Sequence, residues 1–440
     1  MTFDDLNIKS YFKKHLAQMG LTEPTTIQER VFPVVMSGRD VMGIAQTGTG
    51  KTIGYLLPSL NMWRYSAKHE VQILILVPTR ELVLQVLEVA QQLSGESGIM
   101  CVGVYGGVGM QPQIERVLNG ADVVVGTPGR VLDIALTGNM RLGQVRRLIL
   151  DEVDEMLECG FRTQIGRVLD LLPRKRQNLM FSATMTDEIE SIANTYFNGP
   201  QRVEAAPVGT PLENINQCIY HVPNFNSKVN LLIGLLEADE SMQRVMLFVS
   251  TIALADELYE RVADAIGEGV DYLHSRRTQS QRFGALNSFR DGQTRILIAT
   301  DLVARGIDIA DVSHVVSFDL PNEPEQYIHR IGRTGRQDRK GTSIAMMTPA
   351  EEPYLVNIEG LMHKTIDVCD IPENIEMSDR IEEWEKPIVR MRNALTELDA
   401  TPGRAFHEKS AKNSKTNHRV SHKALMRQKY GKPIKKRPKK

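Results

Sequence analysis

Asp151, Glu152 and Asp154 place three carboxylates within four positions of the segment RRLILDEVDEML (146–157), directly after the apolar residues Leu148, Ile149 and Leu150. So close together they repel one another unless a cation, a proton or a neighbouring domain compensates them. A second segment, AQTGTGKT at 45–52, points to the cation. Glycines at 48 and 50 let backbone N–H groups turn toward a phosphate chain, Lys51 can reach the β and γ phosphates, and Thr52 can offer its hydroxyl to Mg2+. The strict form of this loop has glycine where the chain has Ala45, and alone the loop would also read as a chance glycine-rich turn.

The two segments explain each other. In nucleoside triphosphatases with such a loop, a carboxylate at the end of a buried strand holds the Mg2+ that the loop hydroxyl also contacts. Asp151 is placed for that role, and Glu152 is placed to orient or deprotonate the attacking water. Asp154 must then find another partner, and a cation or donor from a second domain is expected. Hydrolysis also needs positive charge where negative charge develops, and HRIGRTGR at 329–336 carries Arg330, Arg333 and Arg336. Residues three apart share one side of a helix, so Arg333 and Arg336 are expected to face an interdomain cleft and act on the γ-phosphate. Such arginines are worth on the order of 10³ to 10⁵ in rate. A plain basic helix face is the alternative on these residues alone.

Rigid elements must hold these groups. Short apolar runs, VQILILV (71–77), DVVVG (122–126), RRLILD (146–151) and NLMFSAT (178–184), are separated by segments long enough for helices. The scheme repeats in VMLFVS (245–250), VDYLH (270–274), TRILIATD (294–301), VSHVVSFD (312–319) and TSIAMM (342–347). Apolar runs without alternation predict strands buried on both faces, and their alternation with helical segments predicts parallel α/β sheets. AAPVGTP at 205–211 reads as a linker, dividing a first domain at 1–207 from a second at 212–370. Residues 379–398 are predicted as one polar helix within an extension at 371–400.

From Thr401 to Lys440 the chain has fourteen Lys or Arg against the single acid Glu408, a charge of +13 that leaves −14 on residues 1–400. This tail is too charged to pack and is expected to be disordered when free. For the rest, 440 residues suit about two or three domains. An apolar share of 42% and a charged share of 24% are those of a globular protein. No apolar run approaches the roughly 18 residues of a membrane span, and the start MTFDDLNIKS lacks the layout of a secretory signal, so a cytoplasmic location is expected. Cys101, Cys159, Cys218 and Cys369 are widely scattered and read as reduced, mostly buried apolar residues rather than zinc ligands or a disulfide framework.

In their order along the chain these motifs resemble those of the DEAD-box RNA helicases of superfamily 2, with the small bacterial RhlE-like group the most similar. The resemblance covers roughly residues 3–350 and leaves out the tail. It implies two tandem RecA-like domains, ATP and Mg2+ in one site, and RNA as the partner. Within an adenine-reading Q motif at 1–29, GLTEPTTIQ (20–28) brings Gln28 to the base edge, and Phe3 stacks on the ring. The ATP site then comprises Ala45, Gln46, Thr47, Gly48, Thr49, Gly50, Lys51 and Thr52, with Asp308 at the ribose; Thr52 and Asp151 hold the metal, partly through water.

SAT at 182–184 resembles the motif that couples hydrolysis to strand separation, with Ser182 and Thr184 bonded to the acidic box around Asp154 and His329 as the cross-domain contact. For RNA the resemblance implies Pro78, Thr79 and Arg80 of PTREL, then Gly106 and Gly107, and Thr127, Gly129 and Arg130 of TPGR. The second domain adds Gln279, Arg282, Thr300, Asp301, Arg305 and Gly306. Such contacts grip sugar and phosphate, which favours RNA through its 2′-hydroxyl and reads no base sequence. Two positions depart from the family pattern, Val153 for Ala in the box and Leu21 for an aromatic residue.

The family's mode follows: ATP and RNA together close the cleft, one strand is bent, and a short duplex opens. The compact chain suggests a monomer, with ribosomal precursors or the RNA-decay machinery as partners and no membrane. Two other readings share the motifs, a DNA helicase or translocase and an RNA clamp with little turnover. The TPGR, PTREL and glutamine elements favour RNA, while Glu152, Arg333 and Arg336 favour turnover.

Overall fold

The computed structural model describes residues 2–45, 48–204, 215–301, 312–335, 340–385 and 429. The expected linker at 205–211 and the tail at 401–440, Lys429 apart, lie outside the described residues.

Seven strands form the first sheet: β1 (Val41–Ile44), β2 (Ile73–Leu76), β3 (Cys101–Val104), β4 (Val123–Gly126), β5 (Arg147–Leu150), β6 (Gln177–Ser182) and β7 (Gln201–Glu204). All pair in parallel, in the order β3-β4-β2-β5-β6-β1-β7. Seven more form the second: β8 (Ile215–His221), β9 (Val245–Val249), β10 (Val270–Leu273), β11 (Ile296–Thr300), β12 (His314–Ser317), β13 (Gly341–Met347) and β14 (Asp367–Val368). Their order, β10-β11-β9-β12-β13-β8-β14, is the first order counted again from β8, and it is also parallel throughout. Both sheets belong to one compact unit, Met1–Lys386.

The side-chain period of two explains why the runs had to be apolar throughout. Ile73 and Ile75 of β2 enter the apolar layer on one face of the first sheet, and Leu74 and Leu76 enter the layer on the other. In β9, Val245, Leu247 and Val249 face one layer while Met246 and Phe248 face the second. Each such side chain taken fully out of water contributes about 1.5–3 kcal/mol, so a polar residue on either face would cost stability.

The structure corrects two expectations. Cys218 and Cys369 are disulfide-bonded, with Cα atoms 5.9 Å apart across 151 residues of chain. Their adjacency comes from the parallel pairing of β14 with β8, a long-range contact that spacing along the chain does not reveal. Cys101 and Cys159 are not disulfide-bonded, but both are only half-buried, so of the four only Cys218 is buried. The second correction concerns the polar helix predicted from 379. In its described part the chain is irregular up to a short 3-10 turn at Glu383–Glu385, and residues 386–398 lie outside the described residues.

The chain leading into this turn bonds to a neighbouring helix, Phe225–Ala238, and to its cap. Asn224 and Asn226 donate to the Ser378 and Arg380 carbonyls, and Asn230 donates to the Glu376 carbonyl. Carbonyls engaged in this way have neighbours other than a helix's own N–H groups.

Candidate nucleotide and nucleic-acid site

The chemistry gathers at the C-terminal ends of β1, β5 and β6, where open α/β sheets bind ligands. Beyond β1 the Ala45 N–H donates to the Ser182 carbonyl at 3.0 Å, which extends the strand pairing to the start of the loop. Gln46 and Thr47 lie outside the described residues. Gly48 and Gly50 have φ of 84° and 86°, the left-handed region that glycine enters without strain. Gly50 starts the helix Lys51–Asn61 and provides no side-chain cap. The first-turn N–H groups and the positive end of the helix dipole are therefore available to an anion.

The segment before this loop braces it. Gln28 Nε2 donates to the Gly50 carbonyl at 3.0 Å, its Oε1 accepts from the Thr25 N–H at 3.1 Å, and the Thr25 hydroxyl donates to the Thr49 carbonyl at 2.8 Å. The Gln28 amide keeps a second N–H and further lone pairs for a base. Phe3 is buried in the core of the first lobe.

At the end of β5, Asp151 is 2% exposed. Its Oδ1 accepts from the Glu152 N–H at 3.0 Å and its Oδ2 from the Tyr55 hydroxyl at 2.9 Å. Glu152 adopts φ 51° and ψ 56°, a conformation that costs a non-glycine residue about 1–3 kcal/mol and that clusters at functional sites. From that turn its Oε1 meets Lys51 Nζ at 2.9 Å, with both side chains 4% exposed. Its Oε2 is buried and has no hydrogen-bond partner among the described residues. Burial pushes the Asp151 carboxyl up to about 6, with Lys51 opposing and Glu152 adding to the shift. Burial works to lower the Lys51 ammonium, but Glu152 and Asp151 outweigh it, and its pKa stands above the usual value. Burial, then Asp151, hold the Tyr55 phenol well above its usual value, so it donates throughout the working range.

These groups suit a triphosphate and a hard cation. Thr52 and Asp151 offer hydroxyl and carboxylate oxygens, and the orphaned Glu152 Oε2 offers an acceptor to water. Among the described residues no three His, Cys, Asp or Glu side chains cluster into a metal cage.

Asp154 needs no partner from the second lobe, contrary to expectation. Its Oδ2 accepts from the Ala183 N–H and the Thr184 N–H, both at 3.0 Å, and from the Thr184 hydroxyl at 3.1 Å; its own N–H donates to Ser182 Oγ at 3.4 Å. The reason is topological: β5 and β6 are neighbours, so the SAT turn emerges beside the box. The second lobe approaches one residue later, where His329 Nδ1 lies 3.9 Å from Glu155 Oε1.

Arg333 does not lie on the helix that carries Arg330. The helix Pro324–Ile331 ends at Gly332, and Gly335 follows with φ of 68°, so Arg333 lies in the turn beyond it. Arg333 is 2% exposed and donates to the His329 carbonyl at 3.2 Å. Arg330, on the helix, turns into its own lobe: Nε and Nη2 meet the two Asp301 oxygens at 2.6 and 2.7 Å, and Nη1 meets the Asp319 carbonyl at 2.6 Å. Arg336, Arg305, Gly306 and Asp308 lie outside the described residues.

The elements expected to hold RNA meet across the lobes. After Pro78, Thr79 caps the helix Arg80–Ser94 by accepting from the Leu82 N–H at 3.3 Å. The Arg80 guanidinium packs so closely on Gly107 that a Cβ there would overlap it, and it donates to Gln279 of the helix Gln279–Arg290. The next residue, Glu81, meets Arg282 of that helix at 2.7 Å. Thr127 precedes the helix Pro128–Leu136 that carries Gly129, and Arg130 donates to the Val108 carbonyl at 2.9 Å, next to Gly106 and Gly107. Thr300 ends β11.

Residues 25–192 match the family model described as DEAD/DEAH box helicase, and residues 227–338 match the helicase conserved C-terminal domain. The RNA helicase CrhR of Synechocystis sp. is 39% identical over 396 residues, 90% of this chain and 79% of that one. The chain belongs to the DEAD-box RNA helicase family. The DEAD-box ATP-dependent RNA helicase CshA of Bacillus cereus is 37% identical over 371 residues, 84% of this chain and 70% of its own. The structure of S. cerevisiae Dbp5 bound to RNA and ADP BeF3 aligns with a TM-score of 0.76 at 31% identity, covering 84% of this chain and 95% of that one. The two parallel sheets are therefore the tandem RecA-like domains of an ATP-dependent RNA helicase.

Reading the sequence of this DEAD-box protein overlooked Tyr55, Glu81, Glu155 and Gln113. Tyr55 stands one helical turn from Lys51 and Thr52, a signal that was present. Glu81 and Glu155 directly follow residues that were chosen, but nothing local indicates their distant partners. The Gln113 amide shapes the turn before the RNA elements, donating to the Tyr105 and Gly109 carbonyls at 3.1 and 3.2 Å. The departures from the family pattern are absorbed by packing: Val153 is wholly buried in one apolar layer and Leu21 packs on the other.

Proposed function

We propose that this DEAD-box protein hydrolyses ATP with Mg2+ bound at the end of the first sheet, and does so when RNA draws the two lobes together. The observation that carries this reading is the 2.9 Å meeting of Lys51 with Glu152 beside Asp151, at a helix N-terminus without a side-chain cap. The loop from Ala45 to Thr52 would bind the β and γ phosphates through its N–H groups and Lys51. Gln28 would read the adenine edge, Phe3 would stack on the ring, and Asp308 would reach the ribose. Thr52 and Asp151 would hold Mg2+, which when bound neutralises phosphate charge. As Lys51 exchanges its carboxylate for phosphate, Glu152 becomes free to take a proton from the attacking water.

Arg333 and Arg336 are proposed to meet the charge that develops on the γ-phosphate. The approach of His329 to Glu155 supports this, because it brings the arginine turn toward the acidic box. Asp154, held by Ser182 and Thr184, would relay the state of the site to RNA. The Arg80–Gln279 and Glu81–Arg282 pairs join the lobes beside Pro78, Thr79, Gly106 and Gly107, which supports closure and RNA gripping as one event. Thr127, Gly129 and Arg130 would extend the grip in the first lobe, and Thr300, Arg305 and Gly306 in the second.

The same reading takes the domains as 1–207 and 212–370 and the tail at 401–440 as a salt-sensitive RNA tether. It makes the protein a cytoplasmic monomer acting on ribosomal precursors or decaying RNA. Among the described residues no helix is long and apolar enough to cross a membrane. The names of CrhR and CshA support RNA as the polymer. The test compares phosphate release with single-stranded RNA and DNA of equal length. Strong stimulation by RNA alone is expected. Equal stimulation would favour a DNA translocase, and RNA binding without turnover would favour a clamp.

A further inference from the structure

Tyr55 is a fully buried polar side chain at the reaction centre that the mechanism above does not use. It lies three residues after Thr52 and four after Lys51 on the helix Lys51–Asn61, so all three face the same way. Its ring packs on Phe181 with centroids 5.3 Å apart, and its hydroxyl donates to Asp151 Oδ2 at 2.9 Å. The other Asp151 oxygen is held by the Glu152 N–H. Both oxygens of one carboxylate are thus fixed, one by the turn that follows it and the other by a side chain on the helix that carries the loop's lysine and threonine.

We propose that Tyr55 is a positioning residue that presets the metal site, its hydroxyl holding the Asp151 carboxylate in register with the Thr52 hydroxyl before a divalent cation arrives. The proposal rests on the reading that Asp151 and Thr52 hold that cation. A carboxylate on a single rotatable stem can turn its oxygens toward Lys51 or toward the cation, and Mg2+ demands near-ideal geometry at short range. A donor anchored in the core removes that freedom in advance, so the order is built into the fold instead of being imposed at each binding event. A purely structural role, a buried phenol satisfied by any nearby acceptor, would leave Mg2+ dependence unaffected when the hydroxyl is removed.

Tyr55→Phe deletes the hydroxyl and keeps the ring against Phe181. The measurement is the affinity of the full-length protein for fluorescent N-methylanthraniloyl-ADP, titrated with Mg2+ and again with EDTA. In Tyr55→Phe the gain in affinity due to Mg2+ should shrink on the order of tenfold, the scale of one hydrogen bond to a charged group, while affinity in EDTA is retained. Phe181→Leu disturbs the ring packing but leaves the hydroxyl, and should lower thermal stability without changing the gain. An unchanged gain in Tyr55→Phe, or equal loss in both variants, would overturn the positioning role. Asp151→Asn separates this from the underlying reading. If it abolishes the Mg2+ gain while Tyr55→Phe does not reduce it, only the Tyr55 proposal fails; if it leaves the gain intact, the metal assignment fails.

Discussion

The two lobes are built on one strand order, yet among the described residues the helices that follow their equivalent strands begin differently. β1 and β8 occupy the same place in their sheets, and each leads into a helix. In the first lobe that helix begins at Gly50, in the left-handed region and without a side-chain cap. In the second it begins at Asn224, whose Oδ1 accepts from the Ser227 N–H at 2.9 Å, while Glu385 accepts from the Phe225 N–H at 2.6 Å. Both lobes bury a lysine–glutamate pair near these ends, Lys51 with Glu152 at 2.9 Å and Lys228 with Glu351 at 2.6 Å. The first stands next to an uncapped helix start and a carboxylate with a spare oxygen. In the second, Glu351 Oε1 also accepts from the Leu320 N–H, and Asp319 Oδ2 accepts from the Ser250 N–H at 2.9 Å while its Oδ1 is buried without a hydrogen-bond partner among the described residues. A shared topology makes room at the strand ends, and the lobes differ at the helix start, which has no side-chain cap at Gly50 and is capped by Asn224.

Substitutions on the two sides should therefore fail in different ways. The largest effect is expected from Glu152→Gln, which should lower RNA-stimulated phosphate release by about 10²–10⁴-fold, the usual worth of a positioned base, while retaining affinity for an ATP analogue. Lys51→Ala should weaken binding of a fluorescent ATP analogue by about a hundredfold, from the loss of a charge-assisted contact to phosphate. The matching Lys228→Ala should instead destabilise the second lobe by about 3 kcal/mol in urea unfolding, since it strands a buried carboxylate, with nucleotide Kd unchanged. Equal behaviour of the two lysine variants would erase the distinction between the lobes.

Smaller effects refine it. Glu81→Arg or Arg282→Glu alone should lower RNA-stimulated ATPase about tenfold, within the coupling range of paired residues, and the double swap should recover most of it if the contact joins the lobes. Asn224→Ala should cost about 1 kcal/mol of second-lobe stability, as for other helix caps. Gly50 has no comparable cap to lose, and adding a Cβ there would place it 2.4 Å from Gln28 Nε2. Gly50→Ala should consequently impair nucleotide affinity as well as lower stability, whereas Asn224→Ala lowers stability alone, a contrast that parallel thermal melts and titrations can measure.

The central strands were legible because both of their faces are buried, which leaves β2, β5, β9 and β11 nearly free of polar residues. The edge strands β7, with QRVE, and β14, with two exposed residues, carry no such signal. Helix limits were less legible where glycines intervene, as the turn at Gly332 shows for the arginine segment.

The sequence by itself determined the inventory of the site: a glycine-rich loop ending in Lys51 and Thr52, carboxylates at 151, 152 and 154, and arginines at 330 and 333. A run of adjacent residues can specify such an inventory because residue type sets what each group donates or accepts. Only the tertiary structure decided which groups meet. Asp154 went to the SAT turn, Arg282 to Glu81, Arg330 to Asp301, Tyr55 to Asp151 and Cys218 to Cys369. Hydrogen bonds and ion pairs act over about 3 Å, and between groups tens to hundreds of residues apart that distance is set by the packing of sheets and helices.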